Sequence, residues 1–227
     1  MLLEGPQRHY RGEAGRHYQQ NKRGVPENAL AWVTRARAEK FSRFIAAGDA
    51  LLEYGAGAGW NLAQLKCRRR LAFDLEDHLP ASIRESVEFI ASTQSVPDNA
   101  MDVVLCHHAL EHILNPPAAL EEMRRMLRPQ GKLLLFVPHE REMRYWRFER
   151  GEPNHHLYSW NAQTLGNLVE ESGFEVIEAG IGQFGYDRFA AVWADKLRAG
   201  ETGFRLLRAT LRRLKPVFEV RVVANKK

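Results

Sequence analysis

The run Ala50-Leu51-Leu52-Glu53-Tyr54 followed by Gly55-Ala56-Gly57-Ala58-Gly59 constrains the fold more than any other part of this chain. A short apolar segment that ends in alternating glycines reads as a buried strand leading into a tight turn. Glycine enters positive φ at little cost and lets another group come close to the main chain. Such a turn opens a βαβ unit, and ligands of open α/β sheets bind beyond the carboxyl ends of the strands, where the strand order reverses. The next apolar run, Leu71-Ala72-Phe73, ends in Asp74. That position suits an acid that accepts hydrogen bonds from the two hydroxyls of a ribose.

The rest of the chain repeats the alternation. Apolar runs at 87–91, 101–106, 132–137, 174–179 and 217–224 read as further strands. Helical spacing is expected over 28–47, from 60 to 65, after Asn115-Pro116 (cap and first position) to the stop at Pro129-Gln130-Gly131, and over 161–172. Strands alternating with helices predict right-handed crossovers. The expected fold is α/β, a Rossmann-like doubly wound, mostly parallel seven-stranded sheet with helices on both faces. Residues 1–27 are polar and aperiodic and read as a cap or flexible segment. Residues 28–227 read as the ligand-binding domain, with 180–216 as an insertion before the last strand.

Several classes are disfavoured. Two cysteines, Cys67 and Cys106, are too few for a disulfide framework or a structural zinc site. No charged segment followed by an apolar one marks a signal peptide, and the longest apolar run, 133–137, is too short to span a bilayer. A soluble cytoplasmic protein is expected. The excess of 33 Lys and Arg over 28 Asp and Glu is compatible with acidic partners but selects none. The segment 204–215 sets leucines against arginines, which suits packing on the domain better than lying on an anionic membrane. The segment 141–150 mixes cations with aromatics, as a ring-stacking surface or a solvated helix would.

A dinucleotide fingerprint needs glycine at the sixth position counted from Gly55, and Trp60 stands there. Glu53 places a carboxylate where a pyrophosphate would not be welcome, so a cationic ligand fits better. The segment from Leu52 to Gly59 resembles the first motif of class I methyltransferases, and Ala72-Phe73-Asp74 resembles the second. Met101-Asp102-Val103-Val104 with Ala109-Leu110-Glu111-His112-Ile113-Leu114-Asn115-Pro116 matches a third block, and 126–133 a fourth. The similarity is strongest to the quinone-pathway and small-molecule methyltransferases. It implies S-adenosyl-L-methionine as cofactor, with Glu53, Gly55, Ala56, Gly57, Gly59 and Asp74 around its methionine and ribose parts. Cys106 and His107, after the fourth strand, would lie along it. The family's usual acid after the third strand is missing; Ser92, Thr93 or Gln94 occupies that region. This leaves a neutral side chain or backbone for the adenine, with Ser92 and Thr93 as the expected contacts.

The resemblance implies in-line displacement at an activated methyl, for which a base is needed only when the acceptor must lose a proton. His107, His108, His155 and His156 are the expected catalytic residues, with His112 and Tyr158 as lesser candidates. His112 reads more simply as part of a structural block. His108 and His112 stand at i, i+4 with His155 and His156 downstream. No carboxylate has ligand spacing beside them, so no metal centre is expected. Cys106 lacks the preceding proline of a cysteine-dependent pyrimidine methyltransferase and reads as a small apolar residue. Asn115-Pro116-Pro117 reads as a helix cap rather than an amino-methyltransferase signature. A small-molecule acceptor is favoured, through oxygen ahead of nitrogen or carbon. The alternatives are an RNA or protein methyltransferase and a cofactor-binding protein without turnover. Nucleic acid is a less favoured partner, and oligomeric state cannot be read.

Overall fold

Alternating apolar side chains commit this chain to a sheet buried on both faces, and the computed structural model shows one. It describes residue 12 and residues 24–140, 146–150, 152 and 154–227. Most of the expected 1–27 cap, and 141–145 of the cation and aromatic segment, lie outside the described residues. The strands are β1 (Ala50–Tyr54), β2 (Arg69–Phe73), β3 (Glu88–Ile90), β4 (Met101–His107), β5 (Leu127–Pro138), β6 (Phe174–Phe184) and β7 (Val217–Lys226). Their order is β3-β2-β1-β4-β5-β7-β6. Strands β1 to β5 pair in parallel, and β7 runs antiparallel between β5 and β6. The expected doubly wound sheet is formed, and its order reverses between β1 and β4, the switch point where such sheets bind ligands.

Helices cover both faces: α1 (Glu27–Phe41), α2 (Ala81–Arg84), α3 (Pro116–Met126), α4 (Ala162–Glu171), α5 (Asp187–Lys196) and α6 (Gly200–Leu214). Strand parity decides which core each side chain joins. Leu52, Val104, Cys106, Leu135 and Val222 pack with Leu120 and Met123 of α3 and Val169 of α4. Leu51, Val103, Leu105, Leu134 and Phe136 face the other way, against Ala38 and Phe41 of α1. Small residues then let α1 approach α5 closely: Ala29, Val33 and Ala36 meet Ala190, Ala191 and Ala194, closed by Phe204 of α6. Among the described residues, no helix is long and apolar enough to cross a membrane.

Helix ends follow local chemistry. The Asn115 side chain accepts from Ala118 N–H at 3.3 Å, capping α3 as expected. Asn161 and Thr164 form a reciprocal capping box at α4. Two expectations fail. Turns rather than a helix follow Gly59 over 60–64, where Asn61 is drawn to the buried Glu53. Helix α3 ends at Met126, short of Pro129, and Leu127 already pairs with Met101. A residue before proline resists the α conformation, so Arg128 could not extend the helix. The 204–215 segment packs through Phe204, while Arg208 pairs with Asp187 at 2.6 Å and Arg205 with Glu39 at 2.6 Å. Leu206 and Leu214 stay exposed.

Gly55 tolerates no side chain without strain. Its φ is +81°, and a Cβ there would run into the Cβ of Ala109. Strain and overpacking together predict that Gly55→Ala destabilises the fold by roughly 2–4 kcal/mol. Urea unfolding checks this, and a midpoint within error of the parent would show that the turn relaxes freely.

Candidate active site

The glycine turn is tied to the end of β2 by its backbone. Gly55 and Ala56 N–H both donate to Phe73 C=O, at 2.8 and 3.0 Å. Gly57 N–H donates to Asp74 Oδ2 at 2.6 Å, and Leu75 N–H to Asp74 Oδ1 at 2.7 Å. Gly57 and Gly59 also have positive φ, +52° and +70°. Each Asp74 oxygen holds one backbone donor and has capacity for a second. Burial pushes its carboxyl above the usual range, against the pull of those two N–H groups.

Glu53 shares the α1 face of the sheet with Leu51 and is fully buried. Asn61 donates its side-chain amide to Oε1, and Oε2 has no hydrogen-bond partner among the described residues. Burial pushes this carboxyl up to about 8. A buried carboxylate oxygen lacking a donor, beside a turn open to close approach, suits a cationic ligand group.

The other expected ligand contacts are placed unevenly. Ser92 and Thr93 lie after β3 on a 3₁₀ turn, where the Ser92 hydroxyl accepts from Gln94 N–H at 3.3 Å. Cys106 points into the core shared with α3, and burial pushes its thiol well up. It can offer a ligand its backbone but not its sulfur.

The α1 face of β4 and β7 carries a polar cluster. The His107 and His108 rings stack 4.2 Å apart, 3° from parallel, with His108 in the left-handed region at φ +53°. Glu219, 2% exposed, receives His108 Nε2 at 3.1 Å on Oε2. Lys40, near the end of α1, reaches Glu219 Oε1 at 2.6 Å and His107 Nε2 at 2.9 Å, above the Phe136 ring at 4.3 Å. Burial pulls Lys40 down to about 8. Burial would raise Glu219, yet the neighbouring His107 ring, the hydrogen bond from His108 and the Lys40 charge hold it well below the usual carboxylate range. His107 is held well below the usual histidine range by burial and then by Lys40. Its ring is therefore neutral.

A second cluster lies across the ends of β4 and β5. Glu111, 1% exposed, and His112 sit on the 3₁₀ turn Leu110–His112. His156 brings Nδ1 to Glu140 Oε1 at 2.7 Å, and its ring meets His112 edge-on at 4.9 Å. Leu157 N–H donates to Glu111 C=O at 2.8 Å, holding the 154–160 loop on the turn. His155 offers its N–H to Glu152 Oε2 at 2.8 Å, and Tyr158 its hydroxyl to Leu114 C=O at 2.8 Å. Of the cation and aromatic segment, Trp146 and Phe148 are exposed, in bends rather than a helix.

Sequence reading missed four members of these clusters: Lys40, Glu219, Glu111 and Glu140. Glu219 left a trace as a lone acid in the apolar run 217–224. Glu111 and His112 are adjacent, and nothing in that spacing marks them as sharing a site.

The model of the methyltransferase domain family matches residues 22–179. An uncharacterized methyltransferase of Mycobacterium tuberculosis is 29% identical over 150 residues, covering 62% of this chain and 57% of the relative. A protein of Mycolicibacterium smegmatis, named a probable S-adenosylmethionine-dependent methyltransferase, is 30% identical over 138 residues, 57% of this chain and 53% of the relative. The chain thus matches a little over half the length of these relatives. Among solved structures, phosphoethanolamine N-methyltransferase 2 of Haemonchus contortus, in complex with phosphomonomethylethanolamine and S-adenosylhomocysteine, superposes with a TM-score of 0.57. That match is 14% identical and covers 85% of this chain and 52% of that one. The [4+2]-cyclase SpnF gives 0.54 at 20% identity, over 85% and 79%. At such identities the likeness is one of fold.

The Lys40–Glu219 pair predicts a specific coupling. Lys40→Met strands a buried carboxylate and should cost about 3–5 kcal/mol, most of it recovered by adding Glu219→Gln. A double-mutant cycle in urea measures this, and additive losses would sink the pairing.

Proposed function

We propose, since this chain belongs to the methyltransferase domain family, that it binds S-adenosylmethionine at the glycine turn and transfers its methyl group to a small molecule, through oxygen ahead of nitrogen or carbon. The observation that carries the cofactor is Glu53 Oε2, buried beside the turn with no hydrogen-bond partner among the described residues. It suits the ammonium of the methionine part. Asp74 faces the same turn with acceptor capacity for two hydroxyls, and Ser92 or Thr93, after β3, would serve the adenine. Bound there, S-adenosylmethionine supplies a methyl group already activated on a sulfonium.

What remains for the chain is to place an acceptor in line and, for a hydroxyl, to take its proton. His107 and His108 stand at the end of β4, just before Ala109, the residue packed on Gly55. Donation from His108 Nε2 to Glu219 leaves Nδ1 as its acceptor nitrogen, the tautomer a general base requires. Burial, with Lys40 beside it, holds His107 neutral, and hydrogen bonding with the Lys40 charge keeps Glu219 ionised, so the carboxylate goes on orienting His108. We assign His108 as the base and His107 as its stacked support. His156 with His155 closes the acceptor side from the loop after β5.

Calorimetric titration with S-adenosylhomocysteine tests the cofactor site. Asp74→Ala should weaken binding by about 1–3 kcal/mol, through lost hydrogen bonds to a charged acceptor; unchanged affinity removes Asp74 from the site.

Glu53 adds a pH signature. Below about 8 its carboxyl is protonated in the ligand-free protein, and an arriving ammonium favours the ionised form. Binding near neutral pH should therefore expel a proton, and affinity should rise with pH up to that value. Titrations in two buffers of different ionisation enthalpy count the proton, and Glu53→Gln should abolish its release. Release that persists in Glu53→Gln would place the titrating group elsewhere.

A further inference from the structure

We propose that Glu111, His112 and His156 bind a first-row divalent transition-metal ion, with Glu140 positioning His156. One ligand atom of each of the three lies within 4.8 Å of the others. Metal–ligand bonds of about 2.0–2.2 Å hold such atoms roughly 3–3.5 Å apart, so a small inward movement of two rings would close the shell. The parts are already held. Glu111 is 1% exposed, and the side chains of His112 and His156 are each 11% exposed. Leu157 N–H, bonded to Glu111 C=O, fixes the loop that carries His156 to the turn that carries the other two.

Glu140 makes this more than a cluster of polar groups. It takes His156 Nδ1 at 2.7 Å. A carboxylate on one imidazole nitrogen directs the other toward a metal and raises its basicity, the usual outer support of a metal-bound histidine. Two imidazoles and one carboxylate form a donor set for Zn²⁺, Mn²⁺ or Fe²⁺ rather than for Mg²⁺ or Ca²⁺, which prefer oxygen. Three protein ligands leave coordination positions open.

The neighbouring His107, His108 and Glu219 also bring ligand atoms within 4.8 Å. There, however, the Lys40 ammonium sits 2.6 Å from Glu219 Oε1 and 2.9 Å from His107 Nε2. That cation position is filled by the chain itself. The two clusters flank Ala109, and in the second, among the described residues, three ligand atoms converge with Glu140 behind His156.

A metal at Glu111 would lie beside the turn that packs on Gly55. An acceptor hydroxyl in an open position would bind with a lowered pKa and give its proton to solvent; as its oxygen bonds to the methyl carbon the carbon–sulfur bond breaks and S-adenosylhomocysteine leaves. This role rests on the methyl-transfer reading. The existence of the metal site does not.

The test is titration of the full chain with Mn²⁺, followed by loss of the free-ion paramagnetic resonance signal, with Zn²⁺ as competitor. One ion per chain is expected, with Kd on the order of 10 µM or tighter. Glu111→Gln and His156→Ala should each weaken it at least about 100-fold, and the milder Glu140→Gln about 10- to 100-fold. S-adenosylhomocysteine titration of the same variants reports folding and tests the cofactor site separately. Retained cofactor binding with lost Mn²⁺ binding supports the metal site, and its loss from the parent protein alone would count against the cofactor reading only. No Mn²⁺ or Zn²⁺ bound by the parent overturns the proposal. So does affinity unchanged in Glu140→Gln and His156→Ala, or binding that disappears in His107→Ala instead.

Discussion

The approach of Ala109 to Gly55 sets the geometry on which the pocket depends. With no side chain at Gly55, the loop leaving β4 can lie directly on the turn leaving β1, at the point where the strand order reverses. On one side of this contact lie Glu53 and Asp74, held by Asn61 and by Gly57 and Leu75 N–H. On the other lie His107 and His108, then Glu111 and His112. The groups proposed for the cofactor and those proposed for the acceptor are thus neighbours because two loops share one space that a methyl group would fill.

Parity along the strands then decides which chemistry points where. On the α1 face the strands are apolar in their middles, at Leu51, Val103 and Leu134. They turn polar at the end where β1 and β4 finish, with Glu53, His107 and Glu219. The opposite face of β4 stays apolar through Cys106. Burying Glu219 and two imidazoles is tolerable only because Lys40 completes the set, since a buried charge without a partner costs several kcal/mol. Lys40 belongs to a helix, so the charge balance of the pocket depends on where α1 sits.

Sequence pattern made the sheet, its strand count and the glycine turn legible because those signals are local. Apolar alternation fixes a strand, glycines fix a turn, and Asn115 before Pro116 fixes a helix start. The clusters were only half legible. His107 and His108 follow a strand and so could be placed, but their partner Glu219 arrives on β7, which enters the sheet antiparallel between β5 and β6. That order is a long-range pairing choice and leaves no local mark. Lys40 was hidden for the same reason, at the end of a helix whose docking site lies far along the chain. The helix expected after Gly59 failed where a tertiary bond, from Asn61 to Glu53, outweighed helical spacing.

The stretch between β6 and β7 takes its meaning from α1. Helices α5 and α6 clamp α1 through the alanine seam and through ion pairs that cross between elements. Asp187 receives both Arg37 of α1 and Arg208 of α6, at 3.3 and 2.6 Å. Glu201 pairs with Arg35 at 2.5 Å, and Glu39 with Arg205 at 2.6 Å. The more exposed pairs add little stability singly, but each is correct only at one register of α1 against the α5–α6 pair. Shifting α1 by one turn, about 5.4 Å, would break these pairs, open the alanine seam and withdraw Lys40 from Glu219. The long segment before the last strand is thus tied to the pocket, because it fixes the register of α1 and with it the Lys40 ammonium beside Glu219 and His107.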